Sequence, residues 1–426
     1  MKKTHFYRLL SVNSVFGTRK GLYLFGAMIL FWTIFDSLIT YIIPIALTNN
    51  NFSKTAMGLI IGSSSLFGAL FDIFISRYVS DINYRRVIFW MFVFCGFVPL
   101  LLIIGGNTTI FLLAMLVWGV YYDLYNFGTF DFVVRTTAAK DYSSSFGLIE
   151  VFKGFSNIIA PLIAGFLIVD ILTTEIFTAI YVFLSAGFMV FLVLLGLGKR
   201  IEIKPQGRAK LESRPLAKNL LVETHLWKKI GRKIWPVLLM TTFLSMVLSF
   251  FWTIGPLYSE VKDLGPLNGA FVFAFVFPSL LLGWFVSPLN HIIGKKLTAF
   301  WSTLIGCLLL LFLFLDFSNG WYGILIVFVA SLFLTLSFPS IAAAYEDYIS
   351  ENSLAQPEIQ AIQDFFTNLG FIVGPIAAGF LADAKGISPA FGCLGLIGAV
   401  LMVVLLLSTP KHINIGIKQK DFLIKK

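Results

Sequence analysis

Two aspartates carry most of the chemistry this sequence offers, because each interrupts a long apolar run near its middle: Asp36 and Asp123. A charged side chain at such a depth costs about 2.5–3.5 kcal/mol even on the most lenient insertion scale, so it faces a cavity or a partner. Asp36 belongs to a polar stripe of Thr33, Asp36, Ser37 and Thr40, spaced to share one helix face. Asp123 has Tyr122 and Asn126 beside it. Carboxylates placed this way can exchange a proton for a cationic group, and these two are the expected proton-coupling and substrate residues. Asp72, Asp131, Glu150, Lys153 and Asp364 lie nearer the ends of their runs. Asp131 and Arg135 at i,i+4, and Glu150 and Lys153 at i,i+3, are spaced to neutralise each other.

Other chemistries find no support. The four histidines (His5, His225, His291, His412) fall in polar connections or tails, and Cys95, Cys307 and Cys393 stand alone in apolar runs, so no metal or disulfide set is spaced for assembly. A nucleophile with its base, as an enzyme needs, is not found at membrane depth. No glycine-rich loop ending in Lys-Ser/Thr is present to hold a nucleotide. No cofactor is expected, and protons are the expected coupling ion, since carboxylates are the titratable groups at depth.

The elements that position these residues follow from composition. With 58% hydrophobic and 13% charged residues in 426, the chain is far from the roughly 25% charge of soluble domains. Uninterrupted apolar stretches predict twelve transmembrane helices, near 22–47, 55–76, 87–104, 110–134, 146–169, 175–197, 234–258, 268–288, 297–315, 321–344, 361–382 and 388–408. The expected architecture is an all-α polytopic membrane protein. A tail (1–20) leads into a first six-helix half (21–197), a basic linker (198–233), a second half (234–409) and a tail (410–426). The basic N-terminal stretch precedes an apolar run too long for a cleavable signal, so that run is expected to remain a helix.

Placing both termini in the cytoplasm puts 28 of the 32 Lys and Arg in cytoplasmic segments and three outside, Lys54, Lys262 and Lys385. The net charge of +10 is thereby matched to the lipid bilayer's anionic headgroups, and a nucleic-acid partner is not expected. Leu220, Leu221, Trp227, Ile230 and Ile234 share a face in the linker, which predicts a short amphipathic helix on the cytoplasmic leaflet.

The halves look duplicated. Ala160-Pro161-Leu162-Ile163-Ala164-Gly165-Phe166-Leu167 returns as Gly374-Pro375-Ile376-Ala377-Ala378-Gly379-Phe380-Leu381, and Pro44 with Pro256 and Arg85-Arg86 with Lys295-Lys296 recur in the same order. Small residues in the proline-containing motif favour close helix packing. Glu150 and Asp364 fall at equivalent repeat positions, which points to scaffolding or cytoplasmic closure, whereas Asp36 aligns with Leu248 and Asp123 with Ser337 or Thr335.

Together these features resemble the major facilitator superfamily, across essentially the whole chain. Its motif between helices 2 and 3 corresponds here to Asp81, Arg85 and Arg86, with a second copy at Gly294-Lys295-Lys296. Gly147, Pro161 and Gly165 are similar to a drug-antiporter pattern in helix 5. The resemblance implies two six-helix halves around a cavity lined by helices 1, 4, 7 and 10. That would gather Thr33, Asp36, Ser37, Tyr122, Asp123, Asn126, Ser245, Ser249, Trp252, Ser331 and Thr335. A cytoplasmic gate would draw on Asp81, Arg85, Arg86, Arg135, Glu150 and Asp364, facing the acidic Glu346, Asp347, Glu351 and Glu358. The implied activity is secondary transport at the inner membrane by a monomer, with efflux of an amphipathic or cationic molecule expected, and proton-symport uptake or a non-transporting sensor as the other readings.

The topology has a direct test. Single cysteines placed at Asn50 and Asn219 in a cysteine-free background should give external labelling of the first and protection of the second. The reverse pattern in intact cells inverts the orientation.

Overall fold

Lipid offers no partner to a backbone N–H or C=O, so an apolar run of this length closes its hydrogen bonds within itself. Each predicted run is helical in the computed structural model, which describes residues 12–78, 83–138, 141–168, 174–197, 220–262, 264, 267–352 and 355–410. The first half comprises α1 (Val12–Asn49), α2 (Lys54–Tyr78), α3 (Tyr84–Ile104), α4 (Thr108–Thr136), α5 (Tyr142–Leu167) and α6 (Thr174–Leu197). The second begins with α7 (Leu220–Lys262) and continues through a broken α8, made of Ala270–Val276, Pro278–Leu282 and Val286–Ile293. It ends with α9 (Lys295–Leu310), α10 (Gly320–Glu351), α11 (Gln356–Lys385) and α12 (Ile387–Ser408). Asparagines start three of these helices: the side chains of Asn83, Asn107 and Asn319 accept hydrogen bonds from the first turns of α3, α4 and α10.

Two expectations change. The run at 268–288 is not one straight helix but bends by 73° between Ala270–Leu282 and Val286–Ile293. Pro278 removes a backbone donor, and Gly283 and Pro288 follow within the next turns. Among the described residues eleven helices are long and apolar enough to cross a membrane, or twelve with the bent pair taken as one span. Residues 220–233 extend α7 instead of forming a separate surface helix. Leu226, Ile230 and Ile234 are buried, and Trp227 packs edge-on against Phe365 of α11 at 5.9 Å. Leu226, Ile230 and Ile234 thus face the bundle, while Trp227 keeps part of its ring exposed. Linker residues 198–219 lie outside the described residues, as do both tails but for Val12–Lys20 and Pro410.

Packing repeats between the halves. In the first, α4 packs on α2 and α3 and α1 on α5; in the second, α10 packs on α8 and α9 and α7 on α11. The halves meet through α2 with α11, α1 with α7, and α5 with the start of α8. The closest of these contacts lie at the end of the bundle opposite the chain termini, called here the far end. There Gly58 and Gly62 of α2 lie on the backbone carbonyls of Pro375 and Ile372, Gly379 of α11 lies on Lys54, and Gly165 of α5 lies on Gly269. A Cβ at any of these glycines would run into backbone.

The repeated proline motif thus forms both seams. Gly165 and Gly379 are equivalent, and their partners Gly269 and Lys54-Thr55 fall at the same offset. Hydrogen bonds complete the closure. Asp383 of α11 accepts from the N–H groups of Lys54 (3.1 Å) and Thr55 (2.7 Å) and from the Thr55 hydroxyl (2.7 Å), capping the N-terminus of α2 across the halves. On the other seam the Tyr41 hydroxyl donates to Asn268 O at 2.9 Å, and Asn268 Nδ2 donates to Ile168 O at 3.3 Å.

A wedge placed in this seam should open it. Gly379→Val is expected to shift the population toward structures parted at the far end, read as a longer spin-label distance between residues 50 and 386, and no change in that distance would contradict the seam.

Candidate functional site

Closure at the far end leaves a cavity of about 1020 Å³ between the halves, running from Ile43 and Ile61 beneath the seam to Asp72, Glu150 and Asp364 near the opposite ends of their helices. Asp36, Asp123, Thr33, Ser37, Tyr122, Asn126, Ser249, Trp252 and Thr335 all line it. Ser245 and Ser331 do not line it. Ser245 is buried where Gly370 of α11 packs, and Ser331 is fully buried. Thr335, not Ser337, is the cavity-facing counterpart of Asp123: Ser337 is held between Ser302 (2.8 Å) and Thr303 (2.7 Å) in the α9–α10 interface.

The two carboxylates sit in different surroundings. Asp36 Oδ1 accepts from the Tyr121 hydroxyl at 2.6 Å and from Trp118 Nε1 at 3.1 Å, both on α4. Charge-assisted bonds of this kind are the strong ones. The aromatic face that supplies them is itself fixed to α1, with Trp32 stacked on Tyr125 at 4.1 Å and edge-on to Tyr121 at 6.2 Å. Asp123 has no such shell: its Oδ2 is buried without a hydrogen-bond partner. It fits against α2 only because residue 68 is glycine, since a Cβ there would stand 2.9 Å from Oδ2. Asp72, one turn further along α2, lines the same cavity, as does Asp364 of α11.

Several lining residues were not anticipated as such. Lys153 reaches the cavity from α5 with its ammonium 5.7 Å from the Tyr125 ring centre and 3.6 Å from Glu150 Oε1. Asn157, one turn on, accepts from the Ser37 hydroxyl at 2.8 Å. Asp72, Thr367 and Asn368 line the wall from α2 and α11. Their signal in the sequence was the i,i+4 spacing of polar or small residues along α5 (Lys153, Asn157) and α2 (Ser64, Gly68, Asp72).

The residues expected at a gate divide. Glu150 and Asp364, expected to act through helix packing or cytoplasmic closure, have exposed side chains on the cavity wall. Arg135 binds Asp131 on its own helix at 2.7 Å, and Asp131 also accepts from the N–H of Tyr84 at 2.7 Å, tying the α4 end to the start of α3. Arg85 donates to the Tyr84 hydroxyl at 3.2 Å, and Arg86 is exposed. Lys295 pairs with Asp347 within the second half. Asp81 lies outside the described residues.

A bundle of two six-helix halves, joined at one end around a polar cavity, defines a polytopic carrier rather than an enzyme. The chain belongs to the Major Facilitator Superfamily, whose family model matches residues 24–357 and again 267–422, and it is a multi-pass membrane transporter of that family. It is 22% identical over 375 residues to the quinolone resistance protein NorA of Staphylococcus aureus (strain MSSA476), covering 87% of this chain and 92% of the relative. The NorA of strain MRSA252 is 21% identical over 392 residues, covering 90% and 95%. Among solved structures, the nucleoside transporter NupG superposes with a TM-score of 0.69 at 14% identity, covering 92% of this chain and 98% of that one. A bacterial homologue of the human lysosomal transporter Spinster, inward-facing and unoccupied, gives 0.64 at 14% identity, covering 92% and 94%.

Tyr121→Phe removes the shorter of Asp36's two bonds. Unfolding stability in detergent should fall by about 1–3 kcal/mol, the usual worth of a hydrogen bond to a charged group, seen as a lower thermal midpoint. An unchanged midpoint would show that Trp118 alone suffices.

Proposed function

We propose that the protein exports an amphipathic or cationic compound in exchange for protons, by rocking its halves about the central cavity. The observation that carries this reading is Asp123. A buried carboxylate oxygen without a partner, on the wall of a large cavity shared with Asp36, Asp72 and Asp364, is a place for a proton or a substrate cation but not for both. In low dielectric the protonated form of a carboxylate is favoured, and water or a cation restores the charged form. Competition of this sort couples the two fluxes without further machinery. The name carried by the NorA relatives, quinolone resistance protein, supports export of an organic compound.

With both termini cytoplasmic and the chain in an inner membrane, the sealed far end is the outer face and the structure is inward-facing. The transporter works as a monomer, since its cavity is complete within one chain. At the cytoplasmic ends, Asp81, Arg85, Arg86, Arg135, Glu150 and Asp364 would re-pair when that side closes.

Asp36→Asn and Asp123→Asn each imitate the protonated state at nearly constant volume. In proteoliposomes with an imposed pH gradient, each should abolish accumulation of a lipophilic cation while leaving downhill exchange measurable. The double variant should be no worse at coupling than the more damaging single one. Gradient-driven transport at the wild-type rate in both single variants would sink the assignment, and accumulation in the direction of the proton flux would make the protein a symporter.

A further inference from the structure

The cavity has a second pole. On the α2–α4 side its charged groups, Asp72 and Asp123, are acidic, and Asp364 of α11 lines the cavity as well. The α1–α5 side presents hydrogen-bond donors instead. Lys153 lies there, three-quarters buried, 3.6 Å from Glu150 Oε1 and 5.7 Å from the Tyr125 ring centre.

Thr33 lies at the same wall, 2% exposed, with its hydroxyl oxygen lacking any partner. Register places it there: Ser156 donates to Leu30 O at 2.8 Å and Ser37 donates to Asn157 at 2.8 Å, and Thr33 falls between these two α1–α5 bonds. Because Asn157 uses Oδ1 to accept from Ser37, the group it has left to offer is its amide N–H. An ammonium, a hydroxyl and an amide N–H on one wall want an acceptor.

The two carboxylates near Lys153 do not fill that need. Asp36 is already held by Tyr121 and Trp118. Glu150 stands 3.6 Å away with its side chain 66% exposed, a long contact that an incoming group can displace.

We propose that Lys153, Asn157 and Thr33 form a subsite for an anionic group of the substrate, with Glu150 as its placeholder, so that the transported compound is zwitterionic. Its carboxylate sits on the α1–α5 wall and its ammonium on the Asp72–Asp123 wall. The inference rests on the export reading given above and narrows its substrate class. A cation lacking an acid function would still enter, but it would leave the Thr33 hydroxyl unpartnered and Lys153 on its long contact to Glu150.

The test is a matched pair of probes, a naphthylalkyl amine bearing a carboxylate and the methyl ester of the same compound. Binding to the purified full-length protein is followed by quenching of tryptophan fluorescence. The wild type should hold the zwitterion about tenfold or more tighter than the ester, the scale of one charge-assisted hydrogen bond. Lys153→Gln should erase that preference and, by removing a positive charge from the cavity, bind the ester at least as tightly as the wild type does. Thr33→Val should reduce the preference without altering the ester's affinity. It also serves as the test should the Lys153 variant fail to fold.

Equal affinities in the wild type, or a preference that survives both substitutions, overturns the subsite and leaves export of cations intact. Failure of the wild type to bind either probe, together with no flux of any cation, overturns both readings.

Discussion

Backbone touching backbone at the far end is the contact on which the rest of this structure depends. In lipid, helices gain little from burying apolar side chains, and association rests on close packing and interhelical hydrogen bonds. Here glycine supplies the closeness: Gly58 and Gly62 against α11, Gly379 against the start of α2, Gly165 against Gly269. Asp383 then adds charge to dipole by capping α2 from the opposite half. Without these seams the halves would have no fixed relation, and the space between them would be a gap in lipid instead of a walled cavity. The duplication explains why there are two seams: one ancestral proline-and-glycine motif, copied, presents the same smooth face twice.

The second constraint is electrostatic and sorts the buried carboxylates by what the protein does for each. Asp36 is a finished interaction, two donors converging on one oxygen from an aromatic face stacked on α1. Asp123 is unfinished, pressed against Gly68 with an oxygen that nothing fills. A satisfied carboxylate holds helices together, and an unsatisfied one waits for a proton or ligand. The two aspartates therefore share a cavity in different surroundings. Asp36 fixes the register of α1 against α4 and faces the site from a set position, while Asp123 offers the site its open valence.

Most of the fold was legible in the sequence because its dominant signal, hydropathy, acts over twenty residues at a time. The helix count and the two halves follow from apolar runs and the repeat, whereas the placing of Asp36, Asp123, Trp252 and Thr335 around one cavity came from the family resemblance. The break in α8 was harder to see, since Pro278, Gly283 and Pro288 lie in a run that stays apolar throughout. The placement of 220–233 was missed for a related reason: a face of Leu226, Ile230 and Ile234 reads the same whether it will meet lipid or helices. Ranking charges by depth drew attention away from Lys153, which enters near a helix end and reaches the cavity on a long flexible stem, as lysine can. Depth of the Cα is then a poor guide to depth of the charge.

The charges of the cavity belong almost wholly to one half. Asp36, Asp72, Asp123, Glu150 and Lys153 come from the first six helices, and Asp364 stands alone among the lining charges of the second, whose other contributions are hydroxyl, amide and aromatic groups such as Ser249, Asn368 and Trp252. The pairs that hold these charges, Asp36 with Trp118 and Tyr121 and Lys153 with Glu150, also lie within that half. If the halves move as rigid bodies, these interactions travel together and need not break. What must break and re-form are the contacts across the seams, which are made of glycine packing and a few hydrogen bonds and so carry little desolvation cost. The division gathers the lining charges in the first half and leaves the second to contribute chiefly neutral groups to the wall.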